Sequence, residues 1–89
     1  MPVLSLFYGI IIRMYRETDG KHHKPHLHAE YQGYEAVFDF DGNILSGDFP
    51  KKQAGLVNAW ISIHEEDLQA NWKLLNGDEG TYFKISPLQ

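Results

Sequence analysis

For nearly fifty residues, apolar and polar positions alternate with a period of two. After that, the spacing changes to three and four. Alternation over short runs marks strands with one buried face, and recurrence at i, i+3 and i+4 marks an amphipathic helix. Val3–Phe7 reads as a short edge strand and Tyr8-Gly9 as a bend. Ile10–Arg16 is β-branched and aromatic, with Ile10, Ile12 and Met14 on one side and Ile11, Arg13 and Tyr15 on the other. Thr18–Lys21 has turn chemistry. His22–Pro25 reads as extended loop, because a residue before proline avoids the helical region. Strands follow at His26–Gln32 and Tyr34–Phe40, joined at Gln32-Gly33, and at Ile44–Phe49 after Asp41-Gly42-Asn43. Connections this short imply an antiparallel meander. One face collects Leu27, Ala29, Tyr31, Tyr34, Ala36, Phe38, Phe40 and Leu45. The other collects His26, His28, Glu30, Glu35, Val37 and Asp39, with Arg13 and Tyr15 beside them.

From Pro50 the pattern is helical. Val57, Trp60, Ile61, His64, Leu68, Trp72 and Leu75 form a stripe, and Asn76-Gly77 is a stop signal. The expectation is one long helix over 51–76, bent near His64. Glu65-Glu66-Asp67 would equally suit the first turn of a second helix, where the dipole favours acids. Gly55 inside the helix is read as a point of close packing on the sheet. Thr81–Ser86 is expected to be a short final strand. The predicted fold is α+β: a single domain over residues 1–89, with an antiparallel meander sheet and one long C-terminal helix packed on its apolar face.

Composition narrows the function classes. The 89 residues are 43% hydrophobic, with twelve aromatic residues, which suffices for a core and argues against disorder. Cysteine is absent, so disulfides, thiolate metal sites and thiol nucleophiles are excluded. No run approaches the length of a membrane span, and the opening residues lack signal-peptide character, so a cytoplasmic location is expected. The net charge of −4 disfavours general RNA or DNA affinity. The charge is uneven, however. Residues 1–32 carry four Lys and Arg against three acids plus four of the five histidines, whereas residues 33–89 carry four Lys against nine acids.

The candidate chemistry lies in Lys24-Pro25-His26-Leu27-His28-Ala29-Glu30-Tyr31. Strand alternation puts His26 and His28 on one face, opposite the apolar set. A His-x-His pair suits a divalent transition metal such as Zn or Ni if a third ligand joins it. Glu30, Asp39, His22, His23 and His64 are candidates for that ligand, though no spacing selects among them. Two imidazoles can also divide acid and base roles, with Arg13, Arg16, Lys21 or Lys24 holding a phosphate. Those are the parts of a phosphodiester or RNA hydrolase, with Tyr8, Tyr15 or Tyr31 available to stack on a base. The third reading is a binding surface: an open face carrying Ile11, Tyr15, Val37 and the histidines, for a small protein partner or a homodimer. His64 on the stripe reads as a core or boundary residue, and the tryptophans Trp60 and Trp72 read as core rather than as a cofactor box.

The segments Phe7-Tyr8-Gly9-Ile10-Ile11-Ile12-Arg13-Met14-Tyr15, Pro25-His26-Leu27-His28-Ala29-Glu30-Tyr31, Gly33-Tyr34-Glu35-Ala36, and Trp60 to Asn71-Trp72 resemble the DUF4160 family of small bacterial proteins. The resemblance spans most of the chain and marks Arg13, His26 and His28 as the positions matching the family motif. Such proteins often accompany a second small protein, DUF2442. The resemblance therefore implies a toxin–antitoxin-like or mobile-element module that works with a protein partner, and it supplies no catalytic assignment.

Overall fold

The computed structural model describes residues 2–16 and 24–89. The elements run β1 (Val3–Phe7), β2 (Ile10–Arg13), β3 (His26–Tyr31), β4 (Tyr34–Asp39), β5 (Ile44–Asp48), α1 (Lys51–Ile63) and α2 (Glu65–Leu75). The strands pair in chain order in one antiparallel sheet. The α+β class and the antiparallel sheet are as expected. The expected turn at Thr18–Lys21 and the loop residues His22 and His23 fall outside the described residues.

Two tight turns set the register. Tyr8-Gly9 and Gln32-Gly33 both hold φ between 45° and 86°. Positive φ at two successive residues is the turn whose twist matches paired strands. The register then fixes the faces. Leu4, Phe7, Ile10, Ile12, Met14, Leu27, Ala29, Ala36, Phe38 and Phe40 are buried and pack with Val57, Trp60, Ile61, Leu68 and Leu75 from the helices. Tyr34, expected on this apolar face, is exposed at the end of its hairpin. Near the end of β5, Gly47 has φ of +85°, and a Cβ there would lie 2.3 Å from the Glu35 carbonyl oxygen, so only glycine fits.

The single long helix is not formed. The chain makes two, of 13 and 11 residues, broken at His64, whose φ of −111° and ψ of 25° leave the helical region. A straight helix over 51–76 would be about 39 Å long, against a longest molecular dimension of 36 Å. Breaking it keeps both apolar stripes on the sheet. Glu65, Glu66 and Asp67 occupy the first turn of α2, the alternative that the acid run had offered. Gly55 meets nothing within 4 Å of an added Cβ, so close packing on the sheet does not account for it.

The final strand is also absent. Residues 79–89 are irregular, and their one backbone bond to the sheet runs from the Ile85 N–H to the Leu4 carbonyl, 2.9 Å. No helix among the described residues is long and apolar enough to cross a membrane.

Candidate functional site

The face of the sheet away from the helices carries every position matching the family motif. Cross-strand pairing stacks the face in rows. Arg13 lies opposite His28 and His28 opposite Val37, and His26 lies opposite Asp39. A second row crosses all five strands: Leu6, Ile11, Glu30, Glu35 and Asp48. The alternation expected along β3 is therefore present, with His26, His28 and Glu30 on one side.

The two imidazoles are not equally accessible. His28 is half-buried, its ring 4.6 Å from that of Tyr15 in an edge-on arrangement. His26 is only 2% exposed. Its ring stands 5.6 Å from His28 and 5.1 Å from Trp72 of α2. Trp72 also packs on Phe40, so this one side chain reaches both faces at that end of the sheet. The Nδ1 of His26 lies 2.7 Å from the Lys24 carbonyl oxygen, which makes Nδ1 the proton-bearing nitrogen of that contact. Sequence alternation placed His26 on an accessible surface. Trp72 covers it, a contact that sequence spacing does not reveal.

Asp39 also has a structural task. It is almost fully buried, and its carboxylate accepts the backbone N–H of Asp41 and of Asn43, both at 2.9 Å, and the Asn43 side-chain amide at 3.2 Å. The Lys24 ammonium lies 3.1 Å away. Burial pushes this carboxyl upward, but the Asn43 backbone bond, Lys24, the Asn43 amide and the Asp41 bond together outweigh it and hold the pKa below the usual carboxylate range. Asp39 thus closes the β4–β5 turn.

Arg13, the expected phosphate holder, donates from Nε to Glu30 Oε2 at 2.7 Å across the diagonal of the β2–β3 pair. Burial raises the Tyr15 phenol; the Arg13 guanidinium opposes this, while Glu30 and Glu35 add to it. His64 lies away from this face, half-buried with its ring 5.4 Å from that of Trp60.

Among the described residues, no group of three or more His, Asp and Glu side chains is placed to hold a metal ion. Of the proposed completing ligands, Asp39 is committed to its turn, Glu30 to Arg13, and His64 to the helix junction. His22 and His23 lie outside the described residues. Two residues escaped sequence reasoning. From the residues alone Trp72 reads only as core, and Asn71 enters only through the family resemblance. Asn71 is a fully buried amide on the inner side of α2. A polar residue next to the apolar stripe, one position before Trp72, was the available signal.

Geometry and topology define the class: an antiparallel meander backed by two helices, with an open, polar and aromatic face. Within that class, the chain belongs to the DUF4160 family, a domain of unknown function whose model matches residues 9–73. No curated protein and no solved structure gives a significant match.

Proposed function

We propose that this protein is a binding module that acts with a small protein partner through the open sheet face, as part of a bacterial, cytoplasmic toxin–antitoxin-like or mobile-element pair. The observation that carries the reading is the five-strand row. Leu6 is 61% exposed at one end of it, followed by half-buried Ile11, and Glu35 and Asp48 are exposed at the other. An apolar end adjoining an acidic end suits a partner surface that pairs an aliphatic patch with basic side chains. The DUF2442 protein that often accompanies this family is the first partner to test. Calorimetric titration of that protein into this chain should give saturable binding. Ile11→Glu should weaken it at least ten-fold with an unchanged circular dichroism spectrum. Absence of binding, or equal binding by the variant, removes the reading.

The alternative is an RNA- or phosphodiester-directed hydrolase using His26, His28 and Arg13, with or without a transition metal. One observation favours it: the register sets Arg13 directly opposite His28. Two count against it. His26 is shut away beneath Trp72, and Arg13 is engaged by Glu30. The binding reading expects no nuclease turnover from the purified chain. Turnover that His28→Ala abolishes would restore the enzyme.

A further inference from the structure

In the irregular segment 79–89, residues 84–87 run beside the outer edge of β1 without becoming a strand. They make one backbone bond to it, Ile85 N–H to the Leu4 carbonyl. On its other side, β1 meets β2 at four register positions. The segment is held mainly by side chains of the helices. The Trp60 indole N–H donates to the Ser86 carbonyl at 2.8 Å. The buried Asn71 amide donates to the Phe83 carbonyl at 2.9 Å and accepts the Phe83 N–H at 2.8 Å, copying one step of a β-ladder. The Ile85 side chain enters the core. Between this segment and β1 runs a groove lined by Val3, Leu4, Ser5, Leu6, Lys84 and Ile85. Ser5 is 6% exposed, and its hydroxyl has no hydrogen-bond partner among the described residues.

We propose that the β1 edge is a binding site for an extended aliphatic peptide segment of a partner protein, and that residues 79–89 are its built-in placeholder. The placeholder shows what the site accepts. One aliphatic side chain fills the position of Ile85. The carbonyl after it meets the Trp60 indole, and the backbone N–H and C=O two residues before it meet Asn71. The placeholder also leaves interactions unmade. Among the described residues, the outer edge of β1 takes a single backbone bond, and the buried Ser5 hydroxyl takes none. A strand that continues the ladder and brings an acceptor to Ser5 has what the placeholder lacks, so it can displace it. Because Trp60 and Asn71 read only backbone groups, the aliphatic position sets the selectivity. Leu6 also belongs to the row on the open sheet face, but the backbone edge, Trp60, Asn71 and the Ile85 position do not, so the proposal stands whether or not that face binds a partner.

The test uses the full chain, ¹⁵N-labelled, titrated with an unlabelled synthetic peptide of residues 79–89. Phe83→Pro in the chain removes the N–H that Asn71 accepts, which weakens the placeholder but leaves the site whole. The peptide should bind this variant at least ten-fold more tightly than it binds the unaltered chain. The Ile85 amide should shift to a released position while the amides of β2, β3 and β4 stay in place. A peptide carrying Ile85→Asp should not bind. Equal binding to both chains, no binding to a folded Phe83→Pro chain, or binding of the Ile85→Asp peptide overturns the proposal. If both Phe83→Pro and Ile85→Ser unfold the protein, the segment is integral to the core and the proposal fails. A dimer of the unaltered chain that Phe83→Pro dissolves assigns the edge to a second copy and equally overturns it.

Discussion

His26 and Glu30 sit on the same face of the same strand, two residues to either side of His28, yet their surroundings differ sharply. At the His26 end, Trp72 comes over from α2 and Asp39 gathers the β4–β5 turn, so the face is closed. At the Glu30 end no helix residue intrudes. The carboxylate is a third exposed and pairs with Arg13. Alternation decides which side of a sheet a residue occupies. Whether that side is open depends on which neighbouring elements overhang it. The closed end thus holds structure together, and the open end keeps its charged side chains in contact with solvent.

The sharpest way to break this contrast is to remove the overhang. Trp72→Ala should cost about 3 kcal/mol, in the range for truncating a packed aromatic, read by denaturant unfolding. The same variant should expose the His26 ring, seen as faster modification of that imidazole by an acylating reagent. A loss below ~1 kcal/mol with His26 still protected would mean that Trp72 is not what closes this end.

Next in size is Asp39→Asn, which keeps the shape but removes the charge that gathers the turn. It should cost about 2 kcal/mol near neutral pH, the scale of hydrogen bonds to a buried charged group. The pH dependence follows from the depressed pKa. The folded state holds Asp39 ionised more readily than the unfolded chain does. Its contribution is therefore complete above the ordinary carboxylate pKa near ~4 and is lost as pH falls through the lower folded value. The unaltered protein should lose stability along that acid limb, and Asp39→Asn should show a shallower slope there. Parallel slopes would show that Asp39 is not the titrating group.

The smallest effect belongs to the open end. A double-mutant cycle with Arg13→Gln and Glu30→Gln should give a coupling of roughly 0.2–1 kcal/mol, since both side chains keep contact with solvent. The coupling should shrink as salt is raised. A salt-independent coupling above ~2 kcal/mol would mean that the Glu30 end is as closed as the His26 end.

Much of the fold was legible in the chain. Period-two alternation around Tyr8-Gly9, Gln32-Gly33 and Asp41-Gly42-Asn43 specifies an antiparallel meander, because turn chemistry and pleat are local properties. Local patterning did not reveal the break at His64, because a continuous stripe suits one helix or two. Packing residues of both halves into one core on the sheet chose two. It did not reveal residues 79–89 either, whose β-like composition in Thr81–Ser86 forms no ladder because Trp60 and Asn71 take up their backbone groups instead. Of the candidate site, the shared face of Arg13, His26 and His28 was dictated by the amino-acid order. Tertiary packing alone determined that Trp72 buries one imidazole, that Asp39 caps a turn and that Glu30 holds Arg13. Each of those contacts joins residues far apart in the chain, and such partners meet only once the sheet and helices have packed.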